Sequence, residues 1–219
     1  MLLIKKGIEP RELSARRNQG ADRYDQLLGS DLEAIRTALI REQRGVCCYC
    51  MGRIRWEQNA GMRIEHFQSR VDHPSLHLAW GNLLGACPGN EGAAPNSTHC
   101  DVHQGDRALT LNPLHEPSMK RVTYSAVGEV RHDDERHCRE MGTSFDAGVL
   151  NLNTNLIVRN RIAVLTAYRE SLDRLGRGGW KRTQLMKEIE DGTQERVLPE
   201  FWGYIRWWLE KQVVKHSPR

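Results

Sequence analysis

Between Cys47 and Gly105 the chain concentrates five of its six cysteines and five of its nine histidines. Cys47-Cys48-Tyr49-Cys50 opens this stretch, Cys87 follows at its middle, and His99-Cys100-Asp101-Val102-His103 lies near its end. A spacing of two residues between Cys47 and Cys50 lets both thiolates reach one tetrahedral ion. Cys87 and Cys100 are separated by Pro88 to Thr98, a Gly/Pro/Asn-rich insertion that reads as a loop and lets the second pair close on the same ion. Cys47, Cys50, Cys87 and Cys100 are therefore the expected ligands of a structural Zn²⁺. Cys48 competes with Cys47 for its place, and His99 is a substitute ligand for the second half.

Composition sets the background. With 219 residues, 39% hydrophobic and 27% charged, the chain can bury a core and does not resemble a disordered tail. A net charge of +4 permits nucleic-acid binding without requiring it. Met1 to Lys6 holds too short an apolar run for a signal peptide, and no later run is long enough to span a bilayer. A cytoplasmic location away from membranes is expected, and in a reducing compartment a Cys-x-x-Cys is more often a metal or redox pair than half a disulfide framework.

Residues 1–29 read as an arm that lies on the body of the protein or on a partner, polar and basic from Ser14 to Gln19 with no apolar period. Ser30-Asp31-Leu32-Glu33 reads as a capping box opening a helix over 31–44, with Leu32, Ile35 and Leu39 on one face and Gly45 as its stop. Ile64-Glu65-His66-Phe67 alternates as a strand, so Glu65 and His66 point to opposite sides, with Arg63 and Arg70 flanking. Trp80 to Ala86 reads as the start of a helix or a tight loop. Within it Asn82 suits a clamp whose amide bonds the loop carrying His66.

Downstream, residues 109–130 read as β-rich, with a hairpin of Val122-Thr123-Tyr124 and Glu129-Val130-Arg131. His132 to Cys138 reads as a solvated loop. A helix is expected over Asn155 to Arg174, with Val158, Ile162, Leu165, Tyr168 and Leu172 inward, and with Arg159, Arg161, Arg169 and Arg174 read as a solvated face before contacts to phosphates. After a break at Gly176–Gly179 a helix is expected over 183–190, and Pro199 opens a last one. There Phe201, Trp202, Tyr204, Ile205, Trp207, Trp208 and Leu209 wrap nearly all round, so that helix is expected to be buried, in this core or against a partner.

The order of a Cys pair, acidic-His, Asn-Leu, and further Cys positions resembles the HNH endonucleases. In more detail it resembles the retron- and Septu-associated PtuB-like family. Glu42-Gln43-Arg44-Gly45-Val46-Cys47-Cys48-Tyr49-Cys50 is similar to that family's Gln-x-Gly-x-Cys-x-Tyr-Cys, and Ile64-Glu65-His66-Phe67 to its Ile-Glu-His-Phe. Gly81-Asn82-Leu83-Leu84 with Cys87 resembles its Asn-Leu-Leu segment. His99-Cys100-Asp101 with Gln104-Gly105 resembles its His-Cys-x-x-x-Lys-Gly, with Gln104 in place of the usual Lys. The likeness is strong over residues 42–105 and thin beyond, through Leu111-Asn112-Pro113 and Leu150 to Asn153.

The resemblance implies an α+β fold, a ββα-metal (HNH) nuclease core with a zinc knuckle embedded in a mainly helical domain. It divides into an N-terminal arm and helix (1–45), the core (46–115) and a hairpin and helical region (116–219), all in one compact unit. It further implies hydrolysis of nucleic-acid phosphodiesters, DNA before RNA, as the effector of a bacterial anti-phage system acting with a PtuA-like ATPase. The aromatic segment 201–209 or the 1–29 arm is the expected docking element for that ATPase. His66 would be the general base. Glu65, in the usual Asp position, and Asp101, in the usual His or Asn position, would hold Mg²⁺ or Mn²⁺. His103 is the rival of Asp101, and Asn82 would steady the loop. The alternatives are a zinc-stapled nucleic-acid-binding module without turnover and, more distantly, a metal-free adaptor built around the C-terminal tryptophans.

Overall fold

The computed structural model describes residues 1–55, 61–143, 145–175 and 181–216. The break expected at Gly176–Gly179 lies outside the described residues. The architecture is mixed α+β, with two small antiparallel sheets set among helices. Among the described residues no helix is long and apolar enough to cross a membrane.

The N-terminal residues do not form a free arm. Arg11–Asn18 is a helix (α1), and Gly29–Glu42 is a second (α2). Leu13 is fully buried, Met1 is buried with its amino group donating to Tyr124 Oη at 2.5 Å, and Ile4 N–H donates to Pro113 O at 2.9 Å. One anchoring leucine on a polar helix leaves no apolar period in the sequence, which hides the packing. Arg16 Nε meets Asp31 Oδ2 at 2.9 Å, joining α1 to α2. Asp31 also accepts the Leu28 N–H at 2.8 Å, so the α2 cap is Asp31 on Leu28, and the helix starts before the expected Ser30 box. Ile35 and Leu39 are buried as expected, and Gly45 (φ +74°) closes the helix with its amide on Ile40 O.

Arg63–His66 (β1) pairs antiparallel with Leu83–Ala86 (β2), placing Glu65 opposite Leu84 and His66 opposite Leu83. Thus the segment expected to be helix or loop is a strand after the short 3-10 turn Trp80–Asn82. All four residues of β2 are buried, and a short run with no polar side lacks the alternation that marks a half-exposed strand. Gln43, just after α2, fixes the pair from outside: its Nε2 donates to Gly85 O at 2.7 Å, and its Oε1 accepts the Gly85 N–H at 2.6 Å. Cys100–Gln104 (α3) follows the Pro88–Thr98 loop.

The chain continues through Glu116–Met119 (α4) to a hairpin of Val122–Tyr124 (β3) and Val130–His132 (β4). Residues 109–121 make no strand. The solvated loop expected at His132 to Cys138 is instead the end of β4 and Glu135–Met141 (α5), capped by Asp134 on the amides of Arg136 and His137. His132 is buried there, with Nε2 donating to Ser118 O at 3.1 Å and Nδ1 accepting from Asp134 N–H at 2.9 Å. Glu140 on α5 is buried and gathers three donors: Thr110 N–H, Thr110 Oγ1 and Leu111 N–H.

Asn155–Leu175 (α6) has the expected extent, but its inward face is shifted. Ile157, Arg161, Leu165 and Leu172 are buried, whereas Ile162 is exposed. Arg182–Gln194 (α7) packs on Trp202–Lys215 (α8). Trp202, Tyr204, Ile205 and Leu209 lie in this chain's own core, and Trp207 stacks on Tyr204 with centroids 5.7 Å apart.

Gly192 illustrates how tightly α7 meets α8, since a Cβ there would collide with the Trp202 ring. Replacing a helix-interior glycine by alanine ordinarily stabilises by about 1 kcal/mol. Gly192→Ala is expected to do the reverse, costing about 1–3 kcal/mol through overpacking. Urea unfolding with a lower midpoint and an unchanged m-value is the expected result.

Candidate metal centre and the adjoining acid–histidine site

Four sulfurs from three separate stretches converge in the core. The ligand atoms of Cys47, Cys50, Cys87 and Cys100 all lie within 4.8 Å of one another, and all four residues are buried. Cys47 and Cys50 come from the tight turn after α2, Cys87 from the residue after β2, and Cys100 from the first turn of α3. A Zn–S bond of about 2.3 Å gives a tetrahedron with S···S edges of about 3.8 Å. The observed separations of 3.8 Å for Cys47–Cys100 and 3.7 Å for Cys50–Cys87 match that edge. The turn aims amides at sulfur, Tyr49 N–H to Cys47 at 3.5 Å and Gly52 N–H to Cys50 at 3.3 Å.

Proton affinities show what the cluster lacks by itself. Burial pushes the Cys100 thiol well above its ordinary value. Burial also raises Cys47, but hydrogen bonds from Cys100, Cys48, Cys50 and Cys87 outweigh it and hold that group well below the ordinary range. A dry pocket of this kind cannot hold four thiolates without a compensating cation. The donor set and geometry therefore fit a Zn²⁺-type ion. Cys47, not Cys48, belongs to the four, and the Cys48 backbone instead donates to Gly85 O beside β2. His99 stays outside as a neighbour, its Nδ1 at 3.2 Å from Cys100 Sγ and 3.9 Å from Cys87 Sγ.

Beside this centre the β1 residues divide as strand geometry dictates. Glu65 faces inward, accepting from Tyr49 Oη at 2.7 Å. Burial raises its carboxyl well above the ordinary value, and the adjacent Asp101 carboxylate adds to the rise. Asp101, in the first turn of α3, also pairs with Arg63 Nε, whose Nη1 reaches Glu91 at 3.0 Å. His103, two residues on, turns away to Thr98 Oγ1 at 3.1 Å. Of the two rivals, Asp101 is the one brought to Glu65.

His66 lies on the other side of β1 against Tyr24, with ring centroids 5.0 Å apart and edge-on. Its Nε2 is 3.0 Å from the His77 carbonyl. A carbonyl only accepts, so Nε2 carries the proton and the lone pair resides on Nδ1. Burial lowers its pKa to about 4, with the His77 hydrogen bond opposing, which leaves the imidazole neutral at pH 7. Asn82 clamps the connecting loop: Oδ1 accepts from Gln68 N–H at 2.7 Å, and Nδ2 donates to Gln68 O and Leu76 O.

Two contributors escape a reading by motif: Tyr24 comes from the N-terminal stretch, and His77 acts through its backbone carbonyl. Tyr49 lies within the quoted cysteine motif, but its bond to Glu65 appears only in the fold.

If the four cysteines hold zinc, the purified protein is expected to contain about one zinc per chain. Cys50→Ser, or prolonged chelation, should unfold or precipitate it, because structural zinc supplies folding free energy. Metal analysis beside a thermal melt checks both. Comparison with models of known protein families gives no match, and comparison with curated proteins gives none either.

Proposed function

We propose that the chain is a metal-dependent endonuclease of the HNH type, with β1, β2 and α3 as its ββα-metal core and the cysteine centre as its staple. The observation that supports this most is the division of labour at Glu65-His66. Two carboxylates, Glu65 and Asp101, meet on one side of β1, and a neutral histidine with a committed tautomer stands on the other. A module that only binds nucleic acid has no need of that pairing.

In this reading Glu65 and Asp101 would hold Mg²⁺ or Mn²⁺, and the buried Glu65 carboxyl, raised first by burial and then by the adjacent Asp101, fits a divalent cation that relieves this crowding. When bound, that ion supplies neutralisation of the scissile phosphate and of the leaving oxygen. His66 Nδ1 takes the proton of the attacking water, while the His77 carbonyl holds the ring in the required tautomer. Asn82 fixes the loop that follows His66 and carries His77. Arg70, over the Tyr24 ring that packs on His66, supplies positive charge for phosphates, whereas Arg63 is paired with Asp101 and Glu91. DNA is the preferred substrate, and the resemblance supports a role in anti-phage defence with a PtuA-like ATPase.

Cleavage of plasmid DNA and of total RNA, with Mg²⁺ or Mn²⁺ and with EDTA, and with and without that ATPase, tests the reading. His66→Ala is expected to keep zinc, fold and nucleic-acid binding while losing about a hundredfold to ten-thousandfold in rate. Asp101→Ala should also lose cleavage, with partial recovery in excess Mn²⁺ that His66→Ala does not show. A His66→Ala protein that cleaves at the parent rate overturns the mechanism and leaves the binding module as the better account.

A further inference from the structure

α6 carries a charged side chain where its inward face should be apolar. Arg161 is 2% exposed, among the most buried large side chains of the protein. Its Nη1 donates to Gly128 O at 3.0 Å and Asn153 Oδ1 at 3.2 Å, and its Cζ lies 5.8 Å from the centroid of the Tyr124 ring. These partners are neutral. Among the described residues no carboxylate pairs with Arg161. A buried guanidinium without an anion is strongly disfavoured, so its retention in the core calls for a source of negative charge nearby.

Ile157, Asn160 and Val164 of α6 line one cleft with Cys50, Cys87 and His99, so this helix runs along the centre, and Arg161 sits one turn beyond Ile157. Burial lowers the Arg161 guanidinium below its ordinary value, and Tyr124, then Cys50 and Cys100, act in the opposite sense. One short segment holds both parties: Leu150 O accepts the Cys100 N–H at 2.9 Å, Asn151 Nδ2 donates to Thr98 O at 2.7 Å, and Asn153 bonds Arg161. The Met1 amino group shares this region, but burial and then Arg161 push its pKa down to about 4, so it brings no charge at pH 7.

We propose that Arg161 is the internal countercharge of the metal centre. Four thiolates around a divalent ion carry a net charge of −2, and Arg161 offsets half of it inside the core, which strengthens metal binding without touching the metal. The same residue also sets a preference: a fully deprotonated Cys₄ ligand set is favoured over a mixed set of lower charge. Arg161 is in this sense a positioning residue, acting through the field at Cys50 and Cys100.

The test is zinc affinity, measured on the full chain by competition with a chromophoric chelator, with circular dichroism as a check on folding. Arg161→Met removes the charge and keeps the bulk, and is expected to weaken zinc binding about tenfold to a hundredfold, the usual effect of losing an outer partner of a metal site. Arg161→Lys keeps the charge and should stay within about threefold of the parent. Should Arg161→Met fail to fold, Arg161→Gln, which retains a donor for Gly128 O, takes its place with the same expected loss. Introducing Cys87→His lowers the charge of the centre by one, so the penalty of the neutral variant should shrink in that background. Unchanged zinc affinity in the neutral variant overturns the proposal. Equal losses for lysine and the neutral residue do so too, because they assign Arg161 a purely structural role.

Discussion

Everything around the middle of this fold depends on bringing four sulfurs together from three places in the chain. Cys47 and Cys50 share a turn, but Cys87 and Cys100 arrive from the end of β2 and the start of α3. Without a shared ion they would be four small buried thiols with weak mutual hydrogen bonds. With one, they cross-link two long loops, and the entropy lost on closing those loops is incurred once, at the metal. The two short strands beside the centre could not stand alone, since a two-stranded hairpin is marginal in water.

The second organising constraint is the loop between the strands. The N-terminal residues reach across the body to support it: the Tyr24 N–H approaches His77 Nδ1 at 3.4 Å, Arg17 Nη1 donates to Leu78 O at 2.8 Å, and Asn82 ties Gln68 to Leu76. His77 in turn anchors Arg70 O through Nε2 at 2.9 Å and presents its own carbonyl to His66. The orientation of one imidazole is thus fixed by contacts from residues 17 to 82. A segment without a pattern of its own is part of the scaffold of the site.

What could be read from the chain follows from how local each signal is. Cys47 and Cys50 are legible because two residues between ligands is a geometric requirement that survives any surrounding fold, Cys87 and Cys100 because the Gly/Pro/Asn-rich loop between them lets both close on the same ion, and Asn82 because its amide suits a clamp on a loop. Strand alternation placed Glu65 and His66 on opposite sides. The burial of residues 1–29 was not legible, because Leu13 and Met1 are held by distant partners. β2 was misread because full burial erases its period. The inward face of α6 differs because Arg161, a residue that composition places outside, is held inside by Gly128 O, Asn153 and the Tyr124 ring, all from other parts of the chain. His132 was taken for solvated for a similar reason, its partner Ser118 O lying on another element.

The pairing of Glu65 with Leu84 and of His66 with Leu83 has a further meaning. In an antiparallel pair, a shift of one residue exchanges the two faces of a strand. Here such a slip would send the carboxylate to the side of Tyr24 and the imidazole to the side of Asp101. Gln43 grips Gly85 from both its amide and its carbonyl, and Cys87 stands one residue beyond the end of β2. The register is thereby pinned at the C-terminal end of β2 by a side-chain amide on Gly85 and by the cysteine cluster that Cys87 joins. The cysteine cluster is in effect the index mark of the strand pair, and the identity of the residue on each face is decided by where that mark is set.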